Sequence, residues 1–396
     1  MNERFDVVVV GAGAIGGWSG CFARSSGASR VLVIDRARAG DGASSRAAGI
    51  VRAQGGTPTT VALGRWSIDF YRRQHEEFGT DSGFREMGYL ILAATAEEVR
   101  AGRERVAMQR SAGLDAQWLE PTEAIQHNPY LNPESFAGAS YVATDGFIDP
   151  PRNVRAYSLV MQQLGVELRE GTAFLGLRLD GGNRITAIET SAGSIETSRV
   201  ILTGGPSLRG VGRAAGVSIP AGAVRHQVAV TEADPAFETE RQAMGFDLAA
   251  GLYWRLEEGG LLFGMGNPDE LSGPSREVNW PYLDKMREQL ATLLPVTKNL
   301  GLRKVWAATI DYTSDHQPIL GPALNAAGAP IEGVTVASAG GHGMMWGPAV
   351  ARIAADLALE GHTGLADVTD LGLDRFDSEG RSRIAADPIA LPFPTR

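Results

Sequence analysis

Four consecutive valines, Val7 to Val10, are apolar on both faces and read as a buried parallel strand entered from Phe5. Glycines follow at 11, 13, 16 and 17, and the apolar stretch from Trp18 to Ser25 has the length and spacing of a helix. A second all-apolar run, Val31 to Ile34, ends on Asp35. Residues 38–56 are rich in Gly, Ala and Ser, with too little bulk to hold themselves together, so they are expected to pack on a ligand. Helices are expected over 59–78, 97–112, 150–164 and 282–294. The third starts at Asp149-Pro150-Pro151, an N-cap followed by proline in the first turn. The Arg- and Glu-rich 97–112 stretch belongs on a surface. Strands are expected over 88–93, near 166, and over 173–179, 185–190 and 199–203. Residues 223–266 alternate and turn like an antiparallel sheet. The run from Val334 feeds a glycine-rich turn and then a helix over 347–359.

The first strand, its glycines and Asp35 form one chemical unit. Gly11 permits a tight turn, Gly13 lets the backbone approach a pyrophosphate, and Gly16 allows close helix–strand packing. The helix N-terminus after the turn offers unpaired N–H groups and partial positive charge to phosphates, and Ala14 and Ile15, within the glycine turn, are expected to contact the cofactor with Gly11, Gly13 and Gly16. Asp35 sits where a carboxylate accepts the hydroxyls of a ribose, so a dinucleotide site is expected. Comparable strand-to-glycine segments occur at 199–205 and 334–343, with sheet-like sequence between them. The expected fold class is therefore α/β, an α+β composite. A discontinuous Rossmann-like domain covers 1–85, 146–222 and 306–385. An interleaved antiparallel-sheet substrate domain covers 86–145 and 223–305, and 386–396 form a tail.

Composition narrows the rest. Among 396 residues, 43% are hydrophobic and 21% charged, as in an ordinary globular protein. The net charge is −9 with no basic run, which argues against nucleic acid as a partner. Cys21 is the single cysteine, so no internal disulfide forms, and its place on an apolar helix side marks a packed thiol. No apolar run reaches the roughly 18 residues of a membrane span, and no signal-like segment precedes Phe5, so the cytoplasm is the expected compartment. The six histidines, at 75, 127, 226, 316, 342 and 362, lack ligand spacing, so no metal is expected.

Six motifs then carry a resemblance: VVVVGAGAIGG with Asp35, GASSRAAGIVRA (42–53), DGFIDPPR (145–152), VILTGGPSLRGV (200–211), WAATIDYTSDHQPILGP (306–322) and ASAGGHGMMWGPAVARIAADL (337–357). In order and spacing they resemble the FAD-dependent D-amino-acid oxidase superfamily. The similarity is nearest to its sarcosine oxidase, dimethylglycine dehydrogenase and glycine oxidase branch. That resemblance implies FAD, and oxidation of an amine C–N bond by hydride transfer to flavin N5, with the imine then hydrolysed. It also implies contacts to FAD from Arg36, from Ser44, Ser45, Arg46, Ala48, Gly49 and Ile50, and from Ala173. Thr203, Gly204 and Gly205 belong to the same set, as do Gly341, His342, Gly343, Met344 and Met345. Arg52, Tyr253, Arg255, His342 and Met345 are the expected substrate-pocket residues. Small-molecule amines or amino acids are the implied substrates, with oxygen, a dye-like carrier or a partner protein as electron acceptor.

The chain also departs from the pattern. Ala308 stands where sarcosine oxidases resembling this chain carry a flavin-linking cysteine, and Arg46 where dimethylglycine dehydrogenases carry a linking histidine. Non-covalent FAD is therefore expected. Leu262 replaces an oxygen-activating lysine, and Ile310 and Met345 fall where carboxylate-binding cations occur in relatives. Two other readings stay open: a flavin-bearing subunit of a heteromeric amine dehydrogenase or oxidase, and an FAD-dependent 2-hydroxy acid or alcohol dehydrogenase.

Overall fold

The computed structural model describes residues 3–237 and 242–392. A six-stranded sheet runs in the order Glu167–Arg169, Val31–Ile34, Val7–Val10, Val200–Leu202, Pro330–Ser338, Ile319–Leu324. All neighbours are parallel except the last pair. The valine run is completely buried, as a strand covered on both faces must be. Helices Ala14–Ser25 and Gly347–Glu360 pack against each other, and Pro150–Leu164 packs on the first. Trp18 is fully enclosed between them, and its indole N–H donates to Asn153 Oδ1 at 3.0 Å. Asp149 caps Pro150–Leu164 as expected, its carboxylate accepting from Arg152 N at 2.9 Å.

The first helix begins at Ala14 rather than at Trp18. Gly16 and Gly17 are its opening turn, and packing requires both. A Cβ on Gly16 would lie 1.7 Å from the Gly11 carbonyl oxygen, and one on Gly17 2.5 Å from the Tyr157 ring. Close approach thus overrides the low helix propensity of glycine. Helix Trp280–Leu293 likewise starts earlier than expected, because Asn279 caps it by accepting from Tyr282 N.

The second large sheet has eight strands, in the order Leu302–Thr313, Ala221–Thr231, Gly260–Met265, Leu252–Glu257, Met244–Asp247, Tyr89–Ala93, Gly138–Val142, Gln117–Leu119. The twelve-residue strand Leu302–Thr313 pairs antiparallel along Ala221–Thr231, from Ala221 opposite Thr313 to Thr231 opposite Leu302. A domain boundary at residue 306 therefore falls inside a strand. One face of this sheet, with Leu252, Trp254 and Phe263, packs on helix Trp280–Leu293. The other, with Tyr89, Val228, Phe246, Tyr253 and Leu262, turns towards the Gly/Ala/Ser-rich loop, where Ala48 and Ile50 meet it. That loop is tied down where Ile50–Val51 pairs with Gly146–Phe147. Among the described residues, no helix is long and apolar enough to cross a membrane.

Candidate active site

A single cavity runs between the carboxyl ends of the parallel strands and the inner face of the eight-stranded sheet. Its empty volume, counting space open to solvent, is about 1390 Å³.

Gly11, Gly13, Ala14, Ile15, Gly16 and Asp35 line one part of it. Gly11 has φ +100°, and a Cβ there would lie 2.6 Å from Thr203 Oγ1, so only glycine makes this turn. Asp35 Oδ2 accepts from Ala12 N and Oδ1 from Ala37 N, both at 2.8 Å. These use about two of the four acceptor directions of a carboxylate, leaving the others for ribose hydroxyls. Ser44 Oγ accepts from Ala14 N at 2.9 Å, which places its hydroxyl at the positive end of the first helix.

The middle of the cavity is lined by Ala48, Gly49 and Ile50, by Thr203, Gly204 and Gly205, and by residues 341–345 ahead of helix Gly347–Glu360. His342 Nδ1 is buried there with no protein hydrogen-bond partner. An orphaned ring nitrogen in this cradle of glycines fits the polar edge of a flavin, which would satisfy it.

Arg52, Tyr89, His226, Phe246 and Tyr253 form the wall against the eight-stranded sheet. Among the described lining residues Arg52 is the one Lys or Arg. Its Nη1 donates to the Gln54 carbonyl, and its Nη2 to the Ile389 carbonyl at 2.9 Å. Beside it, burial pushes the Asp145 carboxyl up to about 7, despite bonds from Ala53 N and Gln54 Nε2. His226 Nε2 and Tyr253 Oη are 2.7 Å apart. Burial pushes His226 down to about 4 and Tyr253 up, so both are neutral at pH 7. His342 is pushed down to about 3, mainly by burial and further by the Arg52 cation.

Five residues expected at the site lie off the cavity wall. Arg36 donates to Ser207 Oγ at 2.8 Å, and Ala173 N to Ser191 Oγ at 3.0 Å. Ser45 bonds through its N–H to the Gly40 carbonyl, and Arg46 turns onto Asp41. Arg255 shares the sheet face of Tyr253, yet its guanidinium reaches past the cavity. It donates to the Ala48 carbonyl at 2.7 Å, pairs with Glu257 at 2.5 Å and lies over the Phe147 ring. Arg255 thus ties its strand to the Ala48 loop. Tyr89, Phe246, Ile389 and Leu391 also line the cavity, and no motif in the sequence marks them. His226 could have been found, since alternation from Val228 puts it on the inner face. Among the described residues, no cluster of three or more His, Cys, Asp or Glu could hold a metal.

The buried histidines set a pH dependence of stability. Each takes up a proton at about 6.5 when unfolded, whereas the fold holds His226 to about 4 and His342 to about 3. Below pH 6.5 the unfolded chain binds more protons, so stability falls as pH drops from 6.5 towards 4. Asp145, Asp247 and Asp311, all raised by burial, act oppositely, whereas His127 and His316, lowered by burial, act with His226 and His342. The thermal midpoint of apoprotein should therefore fall over that window, and less steeply in His226→Gln. A midpoint that stays level or rises on acidification would show that these rings are not held neutral.

Comparison with known proteins bears on the same cavity. Residues 6–357 match the family described as DAO, FAD dependent oxidoreductase. The chain is 26% identical to 4-methylaminobutanoate oxidase (formaldehyde-forming) of Paenarthrobacter nicotinovorans, over 95% of this chain and 46% of that protein. It thus spans about half the length of that relative. It is 25% identical to sarcosine oxidase subunit beta of Rhodobacter capsulatus, over 95% of this chain and 89% of the subunit. The crystal structure of L-proline dehydrogenase from P. horikoshii superposes with a TM-score of 0.85 at 25% identity, covering 94% of this chain and 97% of that one. The matched segment holds the glycine turn, Asp35 and nearly the whole cavity wall, and the chain belongs to the DAO family of FAD-dependent oxidoreductases.

Proposed function

We propose that the protein oxidises the C–N bond of an N-alkyl amine or amino acid, with FAD held non-covalently in the cavity. The observation that carries this reading is the continuity of one cavity from Asp35 and the helix N-terminus to Arg52, Tyr253 and His226. Bound there, FAD supplies the hydride acceptor. Arg52 retains N–H donors beyond its two carbonyl bonds and is suited to a substrate carboxylate. Burial and the Arg52 cation both disfavour a positive charge on a bound amine, so the amine binds in its neutral form, its proton left to bulk water. The neutral His226–Tyr253 pair then offers hydrogen bonds that orient it without reprotonating it. Phe246, Ile310 and Met345 exclude water from the reacting carbon. The relatives named for 4-methylaminobutanoate, sarcosine and proline chemistry fit this substrate class.

A panel of primary, secondary and tertiary amines, amino acids, alcohols and 2-hydroxy acids, mixed anaerobically with the holoenzyme, tests the reading. Amines or amino acids should bleach the flavin. Bleaching by alcohols or hydroxy acids alone would sink it. The mode of attachment has its own check. The described cavity wall holds no cysteine, Ala308 lies off it, and Arg46 is committed to Asp41. Acid or heat should release all the FAD, and a fluorescent band on a denaturing gel would contradict this.

A second reading, a flavin-bearing subunit, is favoured by the match to most of a sarcosine oxidase beta subunit and by the exposed Leu271 and Trp280. Turnover with an artificial acceptor by the chain purified alone argues against it.

A further inference from the structure

The wall facing Arg52 is completed by a stretch that belongs to no helix or strand, residues 385–392. Ile389 and Leu391 line the cavity, and Ile389 is 2% exposed. Both pack with Tyr89, Phe246 and Tyr253 on the inner face of the sheet. Two anchors hold this strap. At one end Asp387 N donates to the Asp315 carbonyl and Asp387 Oδ1 accepts from Ile389 N, both at 2.9 Å. Asp315 is itself fixed by a buried ion pair with Arg375 at 2.7 Å. At the other end Pro392 sits against Gly251 and Gly266, where an added Cβ would come within 2.3 and 2.6 Å of its ring.

Between the anchors, the Ile389 carbonyl accepts from Arg52 Nη2. The same residue therefore bounds the space beside Arg52 with its side chain and occupies one Arg52 donor with its backbone. We propose that the 387–391 strap is the specificity wall of the site, setting the size of ligand admitted beside Arg52. This rests on reading the cavity as the substrate site. The strap has no backbone ladder to break, so its position depends on its two anchors and on apolar packing.

The test uses two carboxylates as probes, acetate and the bulkier benzoate, titrated into holoenzyme while perturbation of the oxidised flavin spectrum is followed. Ile389→Ala removes the side-chain wall. Gly266→Ala, outside the cavity lining, lifts the strap at Pro392. In both variants the ratio of benzoate to acetate affinity should rise by about 10-fold, the scale at which pocket walls discriminate single alkyl groups. FAD content should match the wild type. A purely structural role would weaken both probes alike, and that result overturns the proposal, as does an unchanged ratio or no perturbation in any of the proteins. The amine panel is scored separately. A shifted ratio without amine bleaching leaves the strap standing and removes the amine reading. Amine bleaching with an unshifted ratio does the reverse.

Discussion

Asp35→Ala is expected to purify almost free of FAD. In the structure both carboxylate oxygens hold backbone N–H groups, of Ala12 and Ala37, and the remaining acceptor directions face the cavity. Hydrogen bonds to a charged group are each worth about 1.5–3 kcal/mol. Losing two to a ribose therefore weakens binding by about 10²–10⁴-fold. The variant also releases the turn at Ala12, beside the glycines that approach the pyrophosphate, so the loss belongs at the upper end. Asp35→Asn keeps one acceptor oxygen and should recover part of the affinity. The FAD-to-protein ratio after gel filtration, and the dissociation constant from titrating apoprotein, read this directly. Full occupancy in Asp35→Ala would place the nucleotide elsewhere.

Periodicity made the nucleotide half of the fold legible. Doubly buried strands leave continuous apolar runs, and Val7–Val10, Val31–Ile34 and Val200–Leu202 are all of this kind. Glycine was harder to read, because it serves turns and close packing alike. At Gly16 and Gly17 packing decided, and the helix began four residues early. Strand Leu302–Thr313 shows no regular alternation of buried and exposed residues, so its pairing along Ala221–Thr231 leaves little trace in the sequence.

The substrate side was only partly visible for a different reason. Alternation placed Tyr253 and Arg255 on one face, but a face says nothing of where a long guanidinium ends. Arg255 satisfies its donors on the Ala48 carbonyl and Glu257, whereas the shorter Tyr253 remains in the cavity with His226. Ile389 and Leu391 carry no periodic signal at all. The hydrogen bond between Ile389 and Arg52 spans 337 residues of sequence and depends on anchors that only the folded chain brings together.

Reduced flavin in this protein should react slowly with oxygen, close to the rate of free flavin, so that a dye or partner protein is the better acceptor. The first electron transfer to oxygen makes superoxide, and a fixed cation beside the flavin stabilises it. At about 4 Å and an effective dielectric near 20 such a pair is worth about 4 kcal/mol, or about 10³ in rate. Leu262, where the resemblance implies an oxygen-activating lysine, is 1% exposed and packs among Val228, Val230 and Tyr253. Its cross-strand neighbour is Arg255, whose charge is neutralised by Glu257 and drawn to the Ala48 carbonyl. Arg52 is the remaining cation on the described wall, and its donors are shared with the carbonyls of Gln54 and Ile389. Stopped-flow mixing of photoreduced enzyme with oxygenated buffer measures the rate, with Arg52→Gln and Leu262→Lys alongside. Slow wild-type reoxidation that Leu262→Lys accelerates supports the argument. Fast reoxidation in the wild type overturns it, and loss of that speed in Arg52→Gln would identify Arg52 as the cation that activates oxygen.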